Sequence, residues 1–186
     1  MDQTAFVANT VDISARVRAV SVVQPFEIYT VTKPDVLADP SWHPDGTSII
    51  FVELSGSDWT IATMNIGATP NHTVLLTAPN PFGDPMWSSD GNFVLFSYQD
   101  SPPDMTHPHG AWSLLYMRKD GTDVRTILQD DNANIHAVWV SPTQVAFEWW
   151  GNGATPADIS WLSLININGL GRIDLGEGEY PRTVVQ

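Results

Sequence analysis

The 186-residue sequence contains no cysteine, and this absence limits the sites that it can form. Without thiolates the chain has no disulfide and no cysteine-ligated metal centre, so any metal site must use histidine or oxygen ligands. Basic residues are scarce as well: 8 Lys and Arg stand against 21 Asp and Glu, for a formal net charge of −13. A field of that sign opposes binding to phosphate backbones, so we expect no nucleic-acid partner.

Long apolar runs and recognisable catalytic motifs are also missing. No stretch approaches the roughly 20 apolar residues that a membrane-spanning helix needs, so we predict no transmembrane segment. The first residues lack a basic start followed by an apolar stretch, so no signal peptide is apparent in them. The sequence has neither a Gly-x-Ser-x-Gly turn nor a Gly-rich phosphate loop. We therefore predict a protein that is not an enzyme, with no catalytic residue and no cofactor.

What the chain does contain is a motif that occurs three times. Its copies read DPSWHPDGTSIIFV at 39–52, DPMWSSDGNFVLFS at 84–97 and HAVWVSPTQVAFE at 136–148. Each copy has a tryptophan, a short polar turn and an apolar segment that includes a phenylalanine. We expect the three tryptophans, Trp42, Trp87 and Trp139, in equivalent and largely buried positions.

A second landmark follows each copy of the motif in the same order. Another tryptophan, at Trp59, Trp112 or Trp161, opens an alternating segment that ends near a Gly turn. A short segment then closes each repeat, at 73–77, 124–128 and 171–175. Alternation of period two and Asp-Gly turns predict four antiparallel strands per repeat, and no amphipathic helix is apparent.

The first copy of the motif, PSWHPDGTSIIF, resembles the Trp-Ser-Pro-Asp-Gly signature of TolB-like β-propellers, which are relatives of the WD-repeat propellers. The second copy is similar, whereas the third keeps Trp139, Pro142 and Phe147 but lacks the Asp-Gly turn. The resemblance implies an all-β fold of about three four-stranded antiparallel blades, which form a partial propeller at 39–182. The blades would cover about 39–82, 83–133 and 134–182. The resemblance also favours an extracytoplasmic or periplasmic location.

The two ends of the chain fit no whole repeat. In residues 1–38 we predict an N-terminal arm of two strands, at 16–23 and 26–31, which could be part of a preceding blade. Residues 1–12 are expected to be loose or to become ordered on contact with a partner. The tail YPRTVVQ at 180–186 resembles the start of another strand.

Two loops carry the candidate binding residues. The loop at 99–111 contains Asp104, His107 and His109, which could bind a divalent metal or form an exposed recognition loop. The pair Trp149 and Trp150 could stack on a sugar or anchor a protein interface, with one of the two facing the core by alternation.

These observations predict a non-enzymatic protein-interaction or scaffolding subunit of a larger assembly. A protein partner or a second copy would complete the propeller, and the assembly could sit on a membrane complex. Two alternatives remain open: an accessory propeller of a hydrolase, and a carbohydrate-binding propeller with or without a metal ion. The predicted binding residues are Trp149, Trp150, His107 and His109.

Overall fold

A computed structural model describes residues 3–9, 15–21, 25–30, 37–65, 71–151 and 159–182, and all regular secondary structure in these ranges is strand. No helix in the described part of the chain is long and apolar enough to cross a membrane. The strands are β1 (Gln3–Asn9), β2 (Ala15–Ser21), β3 (Pro25–Thr30), β4 (Leu37–Trp42), β5 (Ser48–Ser55), β6 (Asp58–Asn65), β7 (His72–Ala78), β8 (Phe82–Trp87), β9 (Phe93–Ser101), β10 (Ala111–Arg118), β11 (Arg125–Leu128), β12 (Ala133–Ser141), β13 (Gln144–Trp150), β14 (Ser160–Asn166) and β15 (Ile173–Glu177).

The N-terminal sheet has three strands, in the order β1-β2-β3, and not the two that we predicted. The additional strand β1 pairs with β2 along its whole length, from Gln3 opposite Ser21 to Asn9 opposite Ala15. Residues 3–9 were expected to be loose or to become ordered on contact with a partner, and they instead form a strand paired within the chain. The segment contains the strand formers Thr4, Phe6 and Val7, and pairing with β2 satisfies the backbone groups on the side that faces β2.

The rest of the described chain consists of three four-stranded antiparallel groups, which we call unit 1 (37–78), unit 2 (82–128) and unit 3 (133–177). Unit 1 is a separate sheet in the order β4-β5-β6-β7. Units 2 and 3 share an eight-stranded sheet, but only one parallel bridge, between Trp112 and Ala133, connects them. The described sheets do not close into a ring.

The turn between the first two strands of each unit follows the local sequence. In units 1 and 2 the turn contains Asp-Gly, and Gly46 and Gly91 adopt positive φ angles of 71° and 68°. Glycine accepts this conformation without a steric cost. Unit 3 lacks Asp-Gly and uses a two-residue turn instead, in which Pro142 and Thr143 connect the paired residues Ser141 and Gln144.

The hydrophobic core lies between successive units. One cluster joins Ile50, Val52 and Ile61 of unit 1 to a set from unit 2: Phe82, Trp87, Val94, Phe96 and Met117. A second cluster joins unit 2 to unit 3 and contains Leu95, Leu114, Tyr116, Ile127, Ala137, Trp139, Val145, Phe147 and Ile165. Trp87 and Trp139 are buried as predicted, whereas Trp42 is only half-buried. Each unit therefore depends on its neighbour for a core.

Candidate functional site

The first strands of the three units, β4, β8 and β12, lie side by side, and each has one residue in the left-handed region three positions before the motif tryptophan. These residues are Asp39, Asp84 and His136, with φ angles of 51°, 50° and 49°. The pairing register slips at each of them, which marks a β-bulge. A bulge re-aims a side chain out of the regular alternation. The fold therefore gives these three side chains a common, non-standard orientation.

Hydrogen bonds from backbone to carboxylate link these positions from one unit to the next. The N–H of Asp84 donates to Oδ2 of Asp39 at 3.2 Å, and the N–H of His136 donates to Oδ2 of Asp84 at 3.1 Å. A similar backbone-to-carboxylate hydrogen bond follows unit 3, but its acceptor is a glutamate. The N–H of Tyr180, which has a φ of 49°, donates to Oε2 of Glu148 at 2.9 Å. These bonds give the carboxylates a structural role in holding successive units together.

Glu148 is the centre of a buried polar cluster in unit 3. Its side chain is 1% exposed, and Oε2 lies 2.9 Å from Nδ1 of His136, while Oε1 accepts a hydrogen bond from Nε1 of Trp150 at 2.8 Å. The imidazole of His136 stacks on the ring of Tyr180, with 4.4 Å between centroids. Nε2 of His136 also lies 3.8 Å from Oδ2 of Asp84. His136 therefore stands between two carboxylates.

The electrostatic environment of Asp84 differs from that of the turn aspartates. Burial raises the pKa of the Asp84 carboxyl, the nearby charge of His136 lowers it, and the charge of Asp39 raises it again. The net effect is a raised pKa. Asp104 shows the opposite behaviour: hydrogen bonds from the Thr106 hydroxyl and from the backbone N–H groups of His107 and Thr106 lower its pKa to about 2.

A cavity of about 290 Å³, which we call the axial cavity, opens beside the first strands. Its polar walls are carboxylates and imidazoles, and its apolar walls are aromatic. The lining includes Asp39, Asp84, His136, His109, Trp112 and Trp150. A neighbouring cavity of about 410 Å³ shares Asp39, Asp84 and His136 and adds Tyr180 and Arg182. The candidate site is thus a groove along the first strands.

The structure separates the predicted histidine pair. Asp104 accepts hydrogen bonds from the backbone N–H groups of Thr106 and His107 at 2.7 and 2.6 Å, and Nδ1 of His107 lies 3.2 Å from the same carboxylate. His109 instead packs against Trp150, with 4.6 Å between ring centroids, and lines the axial cavity. Among the described residues, no group of three His, Asp or Glu side chains has an arrangement suited to a metal ion.

The two adjacent tryptophans also separate, as alternation along a strand requires. Trp149 packs against the core between units 2 and 3, stacks on Trp161 and donates from Nε1 to Oγ of Ser163 at 2.9 Å. Trp150 lies on the opposite face and lines the axial cavity. One member of the pair therefore faces the core, as predicted.

Sequence reasoning missed the central residues of this groove. Asp39, Asp84 and His136 were recognised only as part of the repeated motif and not as site residues. The signal was present in the alignment of the motif copies, because these residues occupy the same position, three before the tryptophan. This position is Asp in the first two copies of the motif and His in the third.

Solved structures of known proteins share this architecture. A TolB of Agrobacterium tumefaciens has a TM-score of 0.71 and 18% sequence identity, over 96% of this chain and 63% of that protein. The chain has the fold of a TolB-like β-propeller. An oligogalacturonate lyase in complex with manganese has a TM-score of 0.64 and 14% identity, over 90% of this chain and 51% of the lyase. The acylaminoacyl peptidase of Pyrococcus horikoshii has a TM-score of 0.61 and 11% identity, over 93% of this chain and 30% of the peptidase.

The likeness is one of fold, because every identity is low. No protein-family model matches the sequence, and no curated protein matches it. The chain spans between 30% and 63% of the length of these three structures. The similar proteins include a TolB and two enzymes, so the likeness does not distinguish a binding protein from a catalyst.

Proposed function

We propose that the chain is a non-enzymatic protein-interaction subunit built on a partial TolB-like propeller. In this proposal units 1, 2 and 3 are three blades, within about 39–82, 83–133 and 134–182, and residues 1–38 form an arm or an incomplete blade. A protein partner or a second copy covers the open face of unit 3. The exposure of apolar side chains on that face is the observation that carries the proposal.

The fourth strand of each unit has a bulged apolar residue at the same place in its pairing register. These residues are Leu75 in β7, Ile127 in β11 and Leu175 in β15. Leu75 packs against the core between units 1 and 2, and Ile127 is 4% exposed in the core between units 2 and 3. Leu175 is 57% exposed. The first two side chains are covered by the next unit, so the third marks a surface suited to the same kind of contact.

The turns between the third and fourth strands support this reading. A side chain at Gly121 of unit 2 would collide with the carbonyl of Leu75 in unit 1. In the same way, a side chain at Gly169 of unit 3 would collide with the carbonyl of Ile127 in unit 2. In units 2 and 3, therefore, a glycine turn lies against the bulged residue of the preceding unit. A partner of the same architecture would place its own turn on Leu175.

A second apolar side chain of β15 is exposed as well. Ile173, which pairs with Leu164 on β14, is 55% exposed. Clustered apolar exposure of this kind is typical of interaction surfaces. The net charge of −13 favours a partner with a basic docking face.

An accessory propeller of a hydrolase is the second candidate, and the likeness to the acylaminoacyl peptidase supports it. A lyase activity on an anionic sugar polymer fits less well. The groove contains Asp39 and Asp84, and their negative charge would repel a polyanionic substrate. Both carboxylates also accept hydrogen bonds from the next unit, which favours a binding or structural role over catalysis.

Sedimentation analysis at low micromolar concentration tests the interaction surface directly. We expect the wild-type chain to self-associate or to form a defined complex. The double variant Leu175→Glu with Ile173→Glu should lose that association, because it places two charges on the apolar face. Met105→Glu is the matched control, since Met105 is fully exposed in the loop between β9 and β10. A stable, monodisperse wild-type monomer would contradict the proposal.

A further inference from the structure

We propose that the axial cavity is a binding site for an organic cation that carries an ammonium group on an alkyl chain. The proposal goes beyond the interaction surface of unit 3, because it concerns a different part of the molecule. It rests on the combination of a concave space, aromatic walls and two neighbouring carboxylates.

The aromatic walls are the first step. Trp112 and Trp150 both line the cavity, and the imidazole of His109 packs against Trp150. Each indole N–H already has a partner: Nε1 of Trp112 donates to the carbonyl of His109 at 3.1 Å, and Nε1 of Trp150 donates to Glu148. These bonds fix the rings in place. Fixed indole rings attract cations through their π faces and pack well against alkyl chains.

The carboxylates supply the charge. Oδ2 of Asp39 and Oδ2 of Asp84 each accept a backbone hydrogen bond from the next unit. Among the described residues, the other oxygen of each carboxylate has no hydrogen-bond partner. Nε2 of His136 lies 3.8 Å from Oδ2 of Asp84, and Arg182 lines the neighbouring cavity, but no Lys or Arg lines the axial cavity itself. An ammonium group has three donors and no acceptor, so it complements two free carboxylate oxygens.

The environment of Asp84 makes the ionised form of its carboxyl group unfavourable. Burial raises the pKa of the Asp84 carboxyl, the charge of His136 lowers it and the charge of Asp39 raises it; the net effect is a raised pKa, so this environment disfavours the ionised form. A bound cation would reverse this effect, because an opposite charge favours ionisation. Retaining two neighbouring carboxylates in such a place is typical of a functional site.

A neutral sugar is the competing ligand, since aromatic rings and carboxylates also bind carbohydrates. The two ligands make different demands on charge. A sugar needs hydrogen-bond acceptors, which asparagine also provides, whereas a cation needs the negative charge itself. Replacing Asp by Asn at the site therefore separates the two.

Calorimetric titration with cadaverine, a free diamine, and with Nα-acetyl-L-lysine methylamide, a lysine side chain in a peptide-like setting, tests the proposal. We expect at least one of the two to bind, and the stronger one identifies the source of the ammonium group. Asp84→Asn and Asp39→Asn should each weaken binding by roughly 10-fold or more, as expected for loss of a charged hydrogen bond. Both variants keep an oxygen that can accept the N–H of the next unit. Circular dichroism should confirm that they fold.

Three controls make the outcome decisive. Asp120→Asn changes the same charge in a residue that does not line the cavity, and it should leave binding unchanged. 1-Pentanol tests the apolar contribution alone, and cellobiose tests the sugar. Binding of cellobiose or pentanol but of neither amine, or amine binding that survives both site variants, would overturn the proposal. Repeating the titration on the Leu175→Glu with Ile173→Glu variant shows whether the cavity works independently of the interaction surface.

Discussion

Units 2 and 3 have the same strand order and register, yet they differ in how their faces are covered. Phe96 and Phe147 occupy equivalent positions and both are fully buried. On the opposite side, Ile127 of unit 2 is buried and its equivalent Leu175 is exposed. Unit 2 packs against a neighbour on both faces, whereas the described structure covers unit 3 on one. The comparison shows that burial in this fold is decided by the neighbouring unit and not by the strand sequence.

One position on the second strand of each unit is buried in all three units, but its residue type differs. Glu148 of unit 3 is equivalent to Val52 of unit 1 and Ser97 of unit 2, from their pairing opposite Leu162, Ile61 and Leu114. All three side chains are buried, and Val52 belongs to the core that joins units 1 and 2. The carboxylate of Glu148 is instead satisfied by hydrogen bonds with His136, Trp150 and the backbone N–H of Tyr180. Unit 3 therefore combines a closed polar inner end with an open apolar outer end.

The largest effect is expected from the tryptophan between units 1 and 2. Trp87→Ala should destabilise the chain by roughly 3–5 kcal/mol, because Trp87 belongs to the core that joins the two units. Trp42→Ala should cost less, since Trp42 is half-buried at the equivalent position. Urea denaturation followed by fluorescence measures both. Equal losses would mean that unit 1 is covered as fully as unit 2.

The next-largest effect is expected when the bulged residues of units 2 and 3 are each replaced by alanine. Ile127→Ala should destabilise by roughly 2–4 kcal/mol, as removal of a buried aliphatic side chain does. Leu175→Ala should change stability by less than about 0.5 kcal/mol, which is usual for exposed sites. Thermal unfolding of both variants, at a protein concentration below that at which the chain associates, makes the comparison. A large loss in Leu175→Ala at that concentration would contradict the exposure of Leu175 in the dissociated chain.

The sequence predicted the repeated architecture because the motif combines two local signals. Trp42, Trp87 and Trp139 recur with apolar alternation behind them, and the turn residues fix the hairpins. These signals depend on neighbouring residues in the chain, so they are readable without a structure. The strand at 3–9 was missed because it has no copy of the motif and depends on pairing with β2.

The candidate site was harder to predict, because it depends on contacts between distant residues. His107 and His109 are neighbours in sequence, but one pairs with Asp104 and the other packs against Trp150. His136 and Glu148 are brought together only by the pairing of β12 with β13. Sequence spacing within a loop could not indicate either outcome, because the chain returns to the same groove once in every unit.

The smallest expected effect concerns the turn between the first two strands, where units 1 and 2 again differ from unit 3. A hydrogen bond from the Thr47 hydroxyl, with further bonds from the Thr47 backbone and His43, lowers the pKa of Asp45 to about 2. The Ser88 hydroxyl, followed by Asn92, lowers the pKa of Asp90 to about 2. The corresponding turn of unit 3, at 142–143, has no ionisable side chain.

This difference predicts a specific dependence of stability on acid. Because the folded-state pKa values of Asp45 and Asp90 lie below the unfolded value of 3.8, their contribution is present above about pH 4 and is lost as the pH falls towards 2. The double variant Asp45→Asn with Asp90→Asn should therefore show a shallower loss of stability across this window than the wild-type chain. Urea midpoints measured between pH 5 and pH 2 give the two slopes, with Thr143→Ala in the turn of unit 3 as a control that leaves the slope unchanged. Identical slopes in the wild-type chain and the double variant would mean that these two carboxylates are solvated in the folded protein, and that the turns of units 1 and 2 are held by glycine alone.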